Sequence, residues 1–126
     1  MNENELAAIV VDLSLMIHKK LGPGLLESVY ESILYAELIK RGLHVERQVP
    51  IPVVWDELVI EDSFRADLIV ERSLLLELKS VEASKPVFKK QVLTYLKLTD
   101  LKLGLLLNFG SALMKDGIER IINGNI

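Results

Sequence analysis

Two acidic residues and a lysine stand at a spacing that could support phosphodiester chemistry: Asp67, Glu77 and Lys79. Residues 58 to 71 and 73 to 82 alternate in the manner of two strands joined as a hairpin. In that hairpin Asp67 lies opposite Glu77, and Lys79 leaves the same face two residues later. Opposed carboxylates repel each other, and a divalent cation between them would remove the repulsion. Hard cations such as Mg²⁺ prefer oxygen ligands of this kind.

The register of the hairpin follows from a turn centred on Arg72. One face is almost wholly apolar and belongs on the core, with these pairs: Phe64 with Ser80, Ala66 with Leu78, Leu68 with Leu76, and Val70 with Leu74. The opposite face carries the charged pairs: Arg65 with Lys79, Asp67 with Glu77, and Ile69 with Leu75. A slip of one residue would mix the two faces, so the register is well specified.

The hairpin also admits a second interpretation. Arg65 could pair diagonally with Glu77, and Lys79 with Asp67, which would give a solvated surface of salt bridges. The run of leucines at 74–76 favours a strand that is buried on both faces, where an unpaired Glu and Lys would be costly. The residues of the hairpin leave both interpretations open.

Three segments show the apolar spacing of amphipathic helices: residues 5 to 21, 25 to 41 and 85 to 99. Gly42 is placed to cap the second helix at its carboxyl end. Ser84 is placed as the N-cap of the third, with Pro86 in its first turn.

Two further strands complete the predicted fold. Residues 43 to 54 predict an edge strand, because Pro50 and Pro52 cannot donate ladder hydrogen bonds. Residues 101 to 109 predict a buried strand, followed by a short strand or turn. The order α-α-β-β-β-α-β predicts an α/β (α+β) fold, a central mixed sheet flanked by helices. The last helix should be the crossover that brings the final strand beside an earlier one.

Composition narrows the classes of function. The 126 residues fit a single domain, 1–126, and the net charge of −3 argues against a protein that coats nucleic acid constitutively. The absence of cysteine excludes disulfides and thiolate metal sites, and two histidines give no serine-protease-like set. No apolar run approaches the roughly 20 residues of a membrane span, so we expect a cytoplasmic protein without membrane contact.

Several segments together resemble a known family. Gly24-Leu-Leu-Glu27-Ser-Val-Tyr30 resembles the signature of the small bacterial GxxExxY proteins, a family placed in the PD-(D/E)XK nuclease superfamily. The flanking residues 21–31, 47–51 and 105–110 agree as well. Asp67-Leu-Ile-Val followed by Glu77-Leu78-Lys79 resembles the D…(D/E)-x-K signature of that superfamily, although Ala66 stands where proline is loosely kept.

The resemblance implies a restriction-endonuclease-like core and a set of site residues. The metal ligands that it implies are the two hairpin acids, a backbone carbonyl and an acid of the second helix: Asp67, Glu77, Leu78 and Glu27. The catalytic set that it implies adds a lysine and the Q-x-x-x-Y element of RecB-like nucleases to the two acids: Lys79, Gln91 and Tyr95. The i, i+4 spacing of Gln91 and Tyr95 puts both on one helix face.

Two functions follow as hypotheses. The first is an Mg²⁺- or Mn²⁺-dependent nuclease that hydrolyses phosphodiesters in nucleic acid, with DNA favoured over RNA as substrate. The second is a non-catalytic module that keeps the fold and binds a protein or another copy of itself, so that a homo-oligomer forms. The acidic charge and the small size favour the second function.

Overall fold

The computed structural model describes residues 1–126 as three helices and a five-stranded sheet. The helices are α1 (Glu3–Leu21), α2 (Glu27–Lys40) and α3 (Pro86–Thr99). The strands are β1 (Val45–Trp55), β2 (Leu58–Val70), β3 (Leu74–Lys79), β4 (Leu103–Asn108) and β5 (Ile118–Ile122), and a short 3₁₀ turn (Met114–Gly117) precedes β5. None of the helices is long and apolar enough to cross a membrane.

The sheet has the spatial order β1-β2-β3-β4-β5. β3 and β4 are parallel and every other neighbouring pair is antiparallel. The helix α3 is the crossover between the two parallel strands, as predicted, and the expected restriction-endonuclease-like mixed sheet is confirmed. The predicted order α-α-β-β-β-α-β ends at the fourth strand. The tail that was expected to be a short strand or turn forms β5, which adds an antiparallel edge.

The sheet separates two apolar cores. One core lies between the sheet and the helices α1 and α2, and the smaller one lies between the sheet and α3. Every residue of β4 is buried, and β3 is buried from Leu74 to Leu78. Coverage on both faces explains why these strands are nearly continuous apolar runs rather than alternating ones.

The predicted helix ends are partly confirmed. Gly42 has a φ of 78°, and its N–H donates to the carbonyl oxygen of Ile39 at 2.9 Å, so it closes α2 as expected. Pro86 is the first residue of α3, but the N-cap is Lys85 and makes no side-chain bond, so the choice of Ser84 was wrong. A proline at the first helical position holds the preceding residue in an extended conformation, which makes that residue the cap.

The predicted hairpin register is confirmed near its turn. Leu68, Ile69 and Val70 pair with Leu76, Leu75 and Leu74, and the turn residues Glu71 and Arg72 have positive φ. Farther from the turn β2 pairs only with β1, and β3 pairs with β4. The ladder pairs expected there are therefore not formed: Phe64 with Ser80, Arg65 with Lys79, Ala66 with Leu78, and Asp67 with Glu77.

One strand face does not continue as expected. Leu68 and Val70 pack in the core beneath α1 and α2, whereas Phe64 and Ala66 pack on the α3 side. The prediction of a single apolar face from Phe64 to Val70 was wrong. Gln48 of β1, between the residues that pair with Leu68 and Ala66, has a φ of 48°. The change of face in β2 falls opposite Gln48, at the point where β2 stops pairing with β3.

Candidate active site

Asp67 and Glu77 interlock where β2 and β3 separate. The Glu77 Oε1 atom accepts the Asp67 backbone N–H at 3.0 Å, and the Asp67 Oδ2 atom accepts the Leu78 backbone N–H at 2.8 Å. The two acids are only 8% and 7% exposed. Each carboxyl is therefore held by the backbone of the opposite strand. The two acids lie together as expected, but through these bonds and not as a pair of the β2–β3 ladder, which ends at Leu68 and Leu76.

Burial disfavours the charged forms of this pair. It raises the pKa of Glu77 to about 8, and the neighbouring Asp67 charge adds to the rise. Burial also raises the pKa of Asp67, although the hydrogen bond from Leu78 opposes the rise. Two buried carboxyls that resist ionising together form a site that favours an added positive charge.

Lys79 lies beside the pair without binding either acid. Its ammonium nitrogen is 4.6 Å from the centroid of the Phe88 ring of α3, and it forms no ion pair within 4.0 Å. Arg65 turns away and donates to Asp62 at 3.4 Å. The ion pairs that a salt-bridged surface requires are therefore absent, and that interpretation of the hairpin was wrong.

The loop between α1 and α2 fixes the start of α2, where Glu27 stands. Gly22 has a φ of 72°, and the Tyr30 hydroxyl donates to its carbonyl oxygen at 2.6 Å. The Ser80 hydroxyl donates to the carbonyl oxygen of Leu25 at 2.6 Å. These bonds tie the first turn of α2 to the segment that follows β3, which is the end of the strand that carries Glu77.

Glu27 shares the electrostatic environment of the hairpin acids. Burial is the main cause that raises the pKa of Glu27. The charge of Asp67 raises this pKa further, while the charge of Lys79 opposes the rise. Glu27 therefore lies near enough to Asp67 for their charges to repel, but no hydrogen bond joins Glu27 to the pair, and its role as a metal ligand stays a prediction. Glu27 is half-buried, so it remains open to solvent on one side.

Three residues of this site were not chosen from the sequence: Glu31, Arg47 and Gln48. The Gln48 side-chain amide donates to Glu31 at 2.6 Å and to Asp67 Oδ1 at 3.2 Å. Arg47 donates to the other oxygen of Glu31 at 3.0 Å. Glu31 follows Glu27 by four residues on one helix face, so its position could have been found. No sequence signal marks the left-handed Gln48.

The two residues predicted on α3 differ in their surroundings. Tyr95 is buried, and its ring lies against Phe64 with 5.3 Å between the centroids. Burial raises its pKa, and the charges of Glu77 and Asp67 add to the rise, which places Tyr95 within their field. Gln91 is exposed, and its side chain forms no hydrogen bond with the rest of the chain. Tyr95 therefore lies near the acids without a hydrogen bond to them, and the catalytic roles of Tyr95 and Gln91 stay predictions.

Comparison with known proteins gives the family. A sequence model described as the PD-(D/E)XK nuclease superfamily matches residues 4–121. The chain belongs to the PD-(D/E)XK nuclease superfamily. The predicted resemblance is thus confirmed at the level of the superfamily, and membership of the GxxExxY proteins stays a prediction. A search of curated proteins and a search of solved structures each gave no match.

PD-(D/E)XK nucleases generally use divalent metals, and the residues here fit such an ion in donor chemistry and charge. The candidate donors are oxygen atoms, which Mg²⁺ and Mn²⁺ prefer, and the carboxyls resist ionising without a compensating charge. In this conformation no three His, Cys, Asp or Glu side chains lie close enough to hold a metal. To hold an ion, the acid side chains would have to draw together. Leu78 meets Asp67 through its N–H, and the predicted role of its carbonyl oxygen stays a prediction.

Proposed function

We propose that this chain is a divalent-metal-dependent nuclease whose active site is Asp67, Glu77 and Lys79. The observation that supports this function most strongly is the interlocked, buried pair of acids with an unpaired lysine beside it. Without a bound cation, a buried pair of acids of this kind destabilises the fold, since a hydrophobic pair would fill the same space without the desolvation cost.

The acids would hold the ion. We assign Asp67 and Glu77 as the principal ligands of Mg²⁺ or Mn²⁺, with Glu27 and the Leu78 carbonyl oxygen as further ligands. A bound divalent ion supplies positive charge at a phosphate and lowers the pKa of a coordinated water. Gln48 keeps Asp67 in place by donating to its Oδ1 atom, while the Oδ2 atom accepts a hydrogen bond from the Leu78 N–H.

Lys79 would act on the phosphate. Its ammonium has no carboxylate partner, so its donors are free to bind a phosphate oxygen or the attacking water. The Phe88 ring limits where the ammonium can move and keeps it on the α3 side of the acids. A fixed positive charge there stabilises the negative charge that grows on the phosphate during hydrolysis. We assign Tyr95 and Gln91 to hold the substrate from α3.

A metal titration tests the site without relying on turnover. Mn²⁺ is titrated by calorimetry into the wild type and into the Asp67→Asn and Glu77→Gln variants, with Asp116→Asn as an exposed acidic control. We expect the two site variants to bind at least about tenfold more weakly, because each loses an ionised ligand. A wild type that binds Mn²⁺ no better than the site variants contradicts the proposal.

Cleavage assays then separate the nuclease from a non-catalytic module with the same fold. Linear, circular and single-stranded DNA, and single-stranded RNA, are incubated with Mg²⁺ or Mn²⁺ and the protein. We expect cleavage of DNA before RNA, and its loss in Lys79→Ala. Metal binding without cleavage of any of these substrates would favour the non-catalytic module.

A further inference from the structure

The strands β1 and β2 continue beyond the rest of the sheet as a two-stranded ribbon, Val53–Ile60. The register places Val53 opposite Ile60, Val54 opposite Val59 and Trp55 opposite Leu58. Large apolar side chains along this ribbon are exposed, Trp55 by 73% and Val54 by 62%. A register shift between Ile51 and Val53, with Asp62 at a φ of 54°, sets the ribbon off from the sheet.

Both faces of this ribbon are apolar. Successive pairs point to opposite faces, so Val54 and Val59 form one face while Trp55 and Leu58 belong to the other. An isolated two-stranded hairpin is only marginally stable in water, and contiguous exposed apolar surface marks a site of interaction. The ribbon therefore has the composition of a segment that is covered by something outside its own chain.

The charges of the ribbon define the kind of partner. Asp56 and Glu57 form its turn and Glu61 follows it, and none of the three takes part in an ion pair. An acidic ribbon is repelled by phosphates and is unsuited to a groove of nucleic acid. It requires a surface that is apolar in the middle and basic around the edge.

The chain itself carries such a surface between α3 and β5. A groove of about 550 Å³, here called the α3–β5 groove, is lined by apolar and basic side chains: Lys89, Lys90, Leu93, Arg120, Ile121 and Ile122. None of its three cations takes part in an ion pair. The apolar lining matches the ribbon in character, and the cations match the acids of its turn in charge.

The ribbon and the groove lie at opposite edges of the sheet. β1 and β5 are separated by four strand spacings, or about 19 Å at about 4.8 Å each. A ribbon that extends from one edge is better placed to reach the groove of a neighbouring molecule than the groove of its own.

We propose that the Val53–Ile60 ribbon of one copy docks in the α3–β5 groove of a second copy, in a reciprocal exchange that makes a two-fold dimer. Trp55 and Leu58 fill the groove, and Asp56 and Glu57 meet Lys89 and Lys90. A reciprocal exchange closes the assembly at two copies and doubles the buried area, towards the roughly 1,200 to 2,000 Å² of stable interfaces. This inference does not depend on the proposed nuclease activity.

The oligomeric state in solution tests the ribbon. Sedimentation equilibrium of the full chain, over a hundredfold range of concentration, should give a dimer for the wild type. Trp55→Ser should raise the dimer dissociation constant at least about tenfold, because an exposed aromatic anchor is lost while the fold is untouched. The matched control is Val87→Ser, an exposed apolar residue on α3. It should leave the dimer unchanged.

A charge exchange tests the groove. Asp56→Asn with Glu57→Lys makes the ribbon turn basic, and asparagine tolerates the positive φ of residue 56. Lys89→Glu with Lys90→Glu makes the groove acidic. Each double variant alone should be a monomer, because its ribbon and groove repel each other. An equimolar mixture should form a one-to-one dimer, and a chain with all four changes should dimerise again.

Three outcomes overturn the proposal. The first is a wild type that stays monomeric at every concentration, with the ribbon free or bound only to another protein. The second is a dimer that is insensitive to Trp55→Ser or to the charge variants. The third is a monomer whose basic groove binds a labelled nucleic-acid duplex and loses that binding when Lys89 and Lys90 are changed. This result would assign the groove to nucleic acid.

Discussion

The two ends of β2 each depart from the usual distribution of side chains between core and surface, and they do so in opposite ways. At one end Asp67 is buried together with Glu77. At the other end Leu58, Val59 and Ile60 are exposed. Apolar residues are ordinarily inside and carboxylates outside, so each end is unfavourable in the isolated chain. Directly after Asp67 the segment at 68–70 obeys the rule, and there the hairpin register follows directly from the sequence. These departures therefore indicate where the molecule meets something else, an ion at one end and a protein surface at the other.

The largest expected effect lies at the buried end. Lys79→Ala should lower the rate of DNA cleavage by at least about a hundredfold, the usual cost of removing one group that stabilises charge in the transition state. The fold should persist, because Lys79 holds no ion pair. Initial rates at saturating Mg²⁺ measure the effect, with the exposed Lys115→Ala as control. Retention of wild-type rates by Lys79→Ala, with Asp67→Asn inactive, would remove the lysine from the mechanism.

The pH dependence of stability probes the same end. The folded pKa of Glu77 is about 8, against the ordinary 4.5, so the folded state holds this proton more tightly than the unfolded chain does. Its stabilising contribution is complete below pH 4.5 and is lost as the pH rises through about 8. Glu77→Gln keeps an oxygen for the Asp67 N–H and cannot ionise.

In metal-free solution we therefore expect Glu77→Gln to be the more stable protein at pH 8.5, by more than about 1 kcal/mol, since each unit of pKa shift corresponds to about 1.4 kcal/mol. The gap should narrow as the pH falls towards 5. Urea unfolding at several pH values measures it, and saturating Mg²⁺ should restore the wild type alone. A gap that does not change with pH would mean that Glu77 is ionised in the folded protein throughout.

Sequence reasoning succeeded where local chemistry decides the structure. Gly42 ends α2 because only a residue that accepts positive φ fits there, and Pro86 begins α3 because it lacks an N–H to leave unsatisfied. The leucines of β3 predicted burial on both faces. These features depend on one residue and its neighbours in the chain, so the pattern of residue types contains them.

It failed where a distant contact overrides local preference. Gln48 adopts a left-handed conformation that glutamine does not favour, and its side chain bridges Glu31 and Asp67, residues far away in the sequence. The change of face in β2 lies opposite this residue, and no alternation pattern reveals it. The Asp67–Glu77 pair was predictable from the hairpin, whereas the amide that holds it was not.

The Gln48 contact itself gives an intermediate effect. Gln48→Gly removes both side-chain bonds and also relieves the backbone at a φ of 48°, so the Asp62→Gly control is needed to separate the two effects. We expect about 1 kcal/mol of destabilisation, because the relief of backbone strain partly offsets the loss of hydrogen bonds to two acids. Urea unfolding measures it. Asp62→Gly is the matched control, since Asp62 is exposed at a φ of 54°, and it should be neutral or slightly stabilising.

The smallest expected effect lies at the exposed end. Trp55→Ser should change the free energy of unfolding of the monomer by less than about 0.5 kcal/mol, because surface substitutions without partners rarely do more. Unfolding is measured at a dilution where only monomer is present.

Trp55 is the sole tryptophan of the chain, so its emission reports directly on the ribbon. The maximum should lie at long wavelength in the dilute monomer and move to shorter wavelength as the protein concentrates and the indole leaves water. A short-wavelength maximum at every dilution, with a large loss of stability in Trp55→Ser, would mean that the ribbon packs on its own molecule. The two ends of β2 would then differ only in which side chains they bury.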